Sequence, residues 1–160
     1  TKNAWCMPGG KIAFYTGILP IAKNDDGIAS IMGHEIAHAV ARHSAERMSA
    51  ALLIDAGTYA LEKFVLGQRL PSFSNQLRRY GLDLPFNRSQ ESEADYMGII
   101  FSSLAGYNIE ESYKVWERMQ EESGTSPAEF FSTHPSPENR IKKLKEWIPQ
   151  VREEFPAIKT

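Results

Sequence analysis

Apolar and polar positions along this chain follow two different periods, and the change of period divides it. Residues 3–20 read as β structure: Pro8-Gly9-Gly10 is a turn signal, and residues 11–16, KIAFYT, form a short run of aromatic and β-branched residues ended by Gly17 and Pro20. From Asp26 onward the period is helical. Ile28, Ile31/Met32, Ile36 and Ala39/Val40 recur three and four apart, predicting a helix over about 26–48 with that stripe facing the core. Asn24, Asp25 and Asp26 supply N-cap candidates and negative charge for its first turn.

A second helix is predicted over residues 50–70, ending before Pro71. Its residues Leu52, Leu53, Ala56, Tyr59, Ala60, Phe64 and Val65 sit at helical spacing. Core packing is the expectation for them, and a lid or membrane-facing element is the alternative. Residues 71–85, with Pro, Ser, Asn, Gly and Arg, read as a loop-rich connection. A third helix starts near Asn87 or Ser89 and runs to about Leu104, where Gly106 is a natural stop. Asn108 and Glu111 have the spacing of a capping box, opening a helix that ends before Gly124. His134-Pro135-Ser136-Pro137 is a rigid turn, with Ser136 as N-cap and Pro137 first in a last helix that carries Ile141, Leu144 and Ile148 on one face. The sum is an α+β fold, mostly helical with a small β-sheet or hairpin, in a single domain over residues 1–160.

Composition narrows the function classes. A net charge of −2 without a dense basic run argues against a nucleic-acid partner. The one cysteine, Cys6, cannot form an internal disulfide and lacks the second thiol of a zinc ribbon. The longest uncharged apolar stretch, residues 96–109, is fourteen residues, short of the ~20 that cross a bilayer. The chain opens on Thr1 rather than Met, so an upstream N-terminal or targeting segment is expected.

The chemistry concentrates in "GHEIAHAVARH", residues 33–43, which holds three of the four histidines. His34 and His38 lie four apart, about 40° around a helix axis and one turn along it, so both imidazoles project from one face. Two imidazoles so placed suit zinc, which needs one more protein ligand and an open position. Glu35 lies beside the pair in angle and fits a general base. In "RSQESEADYMG", residues 88–98, Glu91 and Asp95 share a helix face while Glu93 points about 200° away from Glu91. Glu91 is the candidate third ligand and Asp95 the acceptor for a ligating imidazole N–H. Alone, such a pair is also what a helix dipole favours in a first turn. His43 falls near 180° from His34 on a continuous helix and reads as structural, hydrogen-bonded in the core. His134, before a proline, reads on residues alone as a turn residue.

Taken in order, "NAWCMPGG", "GHEIAHAVARHS", "RSQESEADYMG" and "THPSPENRI" resemble the HExxH + ExxxD gluzincin zinc metallopeptidases, the family of the HtpX, prenyl-CAAX and β-barrel-assembly-enhancing proteases. The resemblance covers about residues 3–148 and points most to the soluble bacterial cell-envelope members. It implies a zincin-like fold whose edge strand flanks the active-site helix. It implies one zinc ion per chain held by His34, His38 and Glu91, with Glu35 as base and Asp95 orienting His34. It places His134 near the metal, as oxyanion donor or as the occupant of the open position in a closed form, with Arg140 in the same segment. The strand over residues 11–16 looks like the edge against which an extended substrate is laid, through Ile12, Ala13, Phe14 and Tyr15. Protein or peptide substrates follow, in a bacterial periplasm or cell envelope and in association with a membrane; oligomeric state is left open.

Two other readings compete. A di-iron or di-manganese bundle needs Glu-x-x-His twice, and only Glu35/His38 match, so it fails on count. The stronger rival is a zinc-binding chaperone-like or regulatory module with latent, gated proteolysis.

Overall fold

In the computed structural model, which describes residues 1–7, 9–67, 75, 84–122, 134 and 137–158, the chain opens with a β-hairpin. Strand β1 (Ala4–Cys6) pairs antiparallel with β2 (Ile12–Phe14), with Trp5 opposite Ala13. Gly9 and Gly10 turn the chain at φ +94° and +81°, values that a side chain would oppose, while Pro8 lies outside the described residues. Tyr15 extends the pairing through its N–H to the Asn3 carbonyl (3.0 Å). A 3₁₀ turn (Thr16–Ile18) and a short helix α1 (Leu19–Ala22) lead into α2 (Asp25–Val40). Asn24 caps α2, its side chain accepting from the Gly27 N–H, with Asp25 and Asp26 in the first turn.

The first helix is shorter than its periodicity predicts. It ends at Val40, and Arg42 takes the left-handed conformation (φ 58°, ψ 30°) before α3 (His43–Leu61) begins. For a non-glycine residue that conformation costs roughly 1–2 kcal/mol, and nothing in the side-chain pattern announces it. A π-helical turn (Glu62–Leu66) ends α3. Then follow α4 (Leu84–Leu104), α5 (Glu111–Glu122) and α6 (Pro137–Glu154). Most of the loop-rich connection expected over 71–85, the Ser136 cap and Gly124 lie outside the described residues. Gly106 ends α4 at φ +83°, with its N–H bonded to the Ser103 carbonyl and that of Tyr107 to Ser102. Asn108 caps α5 through Oδ1 to the Glu110 N–H (3.2 Å). Its own N–H goes to Asp26 of α2 (2.9 Å), so the reciprocal bond expected of Glu111 comes from another helix.

The core gathers Ile18 and Ile21, Ile31 of α2, Ile99 of α4, Val115, Trp116 and Met119 of α5, and Leu144, Ile148 and Val151 of α6. Two expectations about burial are corrected. On α2 the covered face holds Ile31, His34, Glu35, Ala37 and His38, whereas Met32, Ile36 and Val40 are exposed, Val40 to 59%. The reason is α4, which packs across the histidine side of α2 where Gly33 meets Gly98. On α3 and the π-helical turn after it the apolar stripe faces outward: Leu53 is 75% and Phe64 77% exposed, and among the described residues the core cluster takes none from α3. The helix meets α2 and otherwise contributes mainly the buried polar residues His43 and Thr58. Among the described residues, no helix is long and apolar enough to cross a membrane.

Candidate metal centre

His34 and His38 stand one turn apart on α2, and α4 brings Glu91 over them; all three are buried. The two Nε2 atoms are 3.0 Å apart. Glu91 Oε1 is 3.2 Å from His38 Nε2, and Glu91 Oε2 is 3.4 Å from His34 Nε2. Zinc bound tetrahedrally at about 2.0–2.1 Å holds its donors about 3.3–3.4 Å apart. The two nitrogens and the Glu91 carboxylate, which turns a different oxygen to each histidine, therefore stand at separations close to the donor spacing that zinc requires. His134 Nδ1 lies 2.8 Å from Glu91 Oε2 and 3.3 Å from His34 Nε2, adding a fourth donor to a group whose ligand atoms all fall within 4.8 Å of one another.

A shell of charge holds these ligands in place. His34 turns Nδ1 to Asp95 Oδ1 (3.1 Å), four residues beyond Glu91 on the same face of α4. Arg140 grips Asp95 with both ends of its fork, Nε to Oδ2 (2.6 Å) and an Nη to Oδ1 (2.5 Å). Its other Nη reaches Glu91 Oε2 (2.7 Å), and its guanidinium lies 3.8 Å above the Trp116 ring. One residue of α6 thus couples a candidate ligand, the carboxylate behind a histidine, and the core of α5.

Glu35 adjoins the group from its other side. Its Oε1 is buried, with no hydrogen-bond partner among the described residues, and lies 3.5 Å from His134 Nε2. A backbone hydrogen bond from Cys6 of β1 reaches the same carboxylate.

Protonation follows from burial and neighbours. Burial pushes Glu35 above the ordinary carboxylate range, against the pull of His34 and His134. Burial also opposes charge on Glu91 and Asp95, yet hydrogen bonds from His134, His34 and His38 hold Glu91 far below that range, and Arg140 holds Asp95 low. The adjacent imidazoles share one proton. His34 rises to about 9 because hydrogen bonds to Asp95 and Glu91 overcome burial and the Arg140 charge. Burial takes His38 down to about 3, helped by its charged neighbour His34. Once His34 gives up its proton, as ligation requires, the buried carboxylates Glu35, Glu91 and Asp95, when ionised, face the single buried guanidinium of Arg140 among the described residues, an excess of two negative charges. A divalent cation cancels that excess, so geometry and charge both fit a zinc site.

The structure brings His34, Glu35, His38, Glu91, Asp95, His134 and Arg140 into one cluster. The residues expected to carry substrate, Ile12, Ala13, Phe14 and Tyr15, stand one strand further off, because β1 rather than β2 supplies the backbone that meets Glu35. His43 is buried and hydrogen-bonded, as its sequence reading expects, but beside the cluster rather than far from it, and Glu93, expected to point away from Glu91, is its second partner. His43 Nδ1 is 2.8 Å from His38 Nδ1, and Glu93 Oε2 is 3.3 Å from His43 Nε2. The available signal is a third histidine five residues after His38, which a helix continued past Val40 would turn away from the site.

The description "Peptidase family M48" matches residues 1–148. The chain is 40% identical to Mitochondrial metalloendopeptidase OMA1 of Schizosaccharomyces pombe over 155 residues, 95% of this chain and 45% of that protein. It is 40% identical to the protein of the same description from Saccharomyces cerevisiae over 161 residues, 96% of this chain and 45% of that one. Metalloprotease YcaL of Escherichia coli is 26% identical over 148 residues, 91% of this chain and 58% of the relative. The chain thus spans about half the length of the curated relatives it matches. No solved structure matches it. These relatives overturn the expected bacterial setting: the two fungal proteins carry mitochondrial names at 40% identity, and the bacterial one is more distant.

Proposed function

Because the chain belongs to peptidase family M48, we propose that it is a zinc-dependent endopeptidase that hydrolyses internal peptide bonds of unfolded or misassembled proteins. The observation that carries this reading is the meeting of His34, His38 and Glu91 at donor spacings of 3.0–3.4 Å, with a buried carboxylate oxygen of Glu35 beside them that has no hydrogen-bond partner among the described residues. Bound there, zinc supplies Lewis-acid chemistry, acidifying water and polarising a carbonyl. Glu35 Oε1 takes the proton of the attacking water and delivers it to the leaving amine, and a carboxyl raised by burial suits both transfers. His134 Nε2, 3.5 Å from Glu35 Oε1, donates to the developing oxyanion. Arg140 and Asp95 hold Glu91 and His34 in position throughout.

Substrate enters as an extended strand beside the hairpin. The 3.0 Å bond of Tyr15 to Asn3 and the 2.8 Å bond of Met7 to Lys11 make Trp5 and Ala13 a hydrogen-bonded pair, so the main-chain groups of Ala4 and Cys6 point away from β2. Cys6 faces Glu35, and a peptide along β1 binds through main-chain bonds with little sequence selectivity, with Ile12, Ala13, Phe14 and Tyr15 as the supporting strand. The names of the fungal relatives support a mitochondrial setting, and the outward apolar face of α3 supports association with a membrane.

His134 favours a second element, gating. Its Nδ1 stands within the donor group and its ring is buried, the arrangement of a closed state that opens when the ring swings aside. A zinc-binding regulatory module with latent proteolysis is the limiting form of that reading.

Cleavage of an unfolded protein such as casein, with and without chelator, tests the proposal. Glu35→Gln retains zinc and loses about 10²–10⁴-fold in rate, the usual share of a general base, whereas His34→Ala loses both metal and activity. Cleavage by Glu35→Gln at the parental rate overturns the assignment of the base.

A further inference from the structure

We infer that His43 and Glu93 form a relay that holds His38 for the metal, an inference that rests on the zinc-site reading above. Each histidine of the HExxH pair has one nitrogen toward the metal group and one behind it. Behind His34 stands a carboxylate, Asp95 Oδ1 at 3.1 Å from Nδ1. Behind His38 stands another imidazole, with His43 Nδ1 at 2.8 Å from His38 Nδ1. Only one arrangement of protons satisfies the chain when His38 presents a bare Nε2. His38 Nδ1–H donates to His43 Nδ1, and His43 Nε2–H donates to Glu93 Oε2 at 3.3 Å. The order is then ligand, imidazole, carboxylate, one link longer than on the His34 side.

The fold spends conformational strain to make this contact. His43 would leave the site on a helix continued from Val40. Arg42 instead adopts the left-handed conformation, and α3 starts with His43 buried against His38. Gln90 of α4 ties the turn down, its Nε2 meeting the Glu46 carboxylate (3.0 Å) and the His43 carbonyl (3.5 Å). Backbone held in a sparsely populated region next to a functional group is where a positional constraint is expected. Glu91, Glu93 and Asp95 thereby serve the site from one turn of α4: as ligand, as the end of the His38 relay, and as the partner of His34. An imidazole kept only for packing would need a partner but would not need that partner to be the rear nitrogen of a ligand.

His43 and Glu93 are positioning residues, and the test reads the metal itself. Zinc affinity of the intact protein is measured by competition with a chromogenic chelator, alongside the visible spectrum of the cobalt-substituted form. His43→Leu binds zinc about 10–100-fold more weakly, the usual loss when a partner behind a ligand is removed, and its cobalt bands shift. His43→Gln, whose amide oxygen accepts from His38 Nδ1, restores most of that loss. Parental affinity and spectrum in His43→Leu, or a His43→Gln as weak as His43→Leu, overturns the relay. Where far-UV circular dichroism shows that metal-free His43→Leu is unfolded, Glu93→Leu decides. The Glu93 side chain is 59% exposed, so its replacement spares the core. A several-fold loss of zinc affinity with shifted cobalt bands supports the relay, and no change in either overturns it. A parental protein that binds no zinc overturns the zinc-site reading itself, an outcome distinct from any of these.

Discussion

Gly33 of α2 and Gly98 of α4 meet backbone to backbone: a β-carbon on Gly98 would lie 2.9 Å from the His34 nitrogen, and one on Gly33 would lie 2.8 Å from the Gly98 carbonyl oxygen. Every nearest atom facing Gly98 is backbone, and the one side-chain atom near Gly33, Ser102 Oγ at 3.1 Å, lies behind the closer carbonyl, so neither contact is relieved by a rotamer change. The contact sets how closely the helix bearing Glu91 and Asp95 approaches the helix bearing His34 and His38, and so sets the donor spacing.

Gly98→Ala therefore forces the two helices apart. Overpacking of this kind costs about 1–3 kcal/mol and outweighs the roughly 1 kcal/mol that alanine gains over glycine in a helix. The expected outcome is a Tm lowered by about 2–4 °C per kcal/mol together with weakened zinc binding. Calorimetry and chelator competition check it, and an unchanged zinc affinity would show that the crossing does not govern the site.

Cys6→Pro removes the backbone N–H that bonds the Glu35 carboxylate. That group points away from β2, so proline leaves the hairpin ladder intact. A hydrogen bond to a charged group is worth about 1.5–3 kcal/mol, so kcat/KM falls about 10–100-fold while bound zinc is unchanged. Cys6→Ala, which keeps the N–H, retains parental activity; equal losses in both variants would trace the effect to the thiol instead.

His134→Ala separates the two parts assigned to His134. As a gate its loss speeds entry of substrate and lowers KM; as oxyanion donor its loss lowers kcat about 10²–10³-fold. The expected result is both together, seen as a lower kcat with a lower KM. Unchanged steady-state constants would remove His134 from the account.

The cluster was largely legible because its spacing is helical twice over. His34 and His38, and Glu91 and Asp95, are each one turn apart, and a helix turns such pairs to one side. Which side is buried was not legible. Met32, Ile36 and Val40 make the more apolar stripe of α2, yet the histidine side is covered, because Gly33 and Gly98 permit a close crossing that outweighs the stripe. Two isolated glycines inside helical patterns were the available sign. The turn at Arg42 was invisible for a different reason: no glycine, asparagine or proline marks its left-handed conformation, so His43 was placed on the far side of a helix that had already ended. The outward stripe of α3 shows the same limit, since periodicity reports a face without reporting what meets it.

X-ray absorption at the zinc edge of the purified protein reads the meeting of His34, His38 and Glu91 at one ion. The expected result is one zinc ion per chain, nitrogen and oxygen donors at about 2.0–2.1 Å with the multiple scattering of imidazoles, and loss of that coordination in His38→Ala. A sulfur donor from Cys6 in the first shell, or full zinc content with an unchanged shell in both His38→Ala and Glu91→Ala, would contradict it.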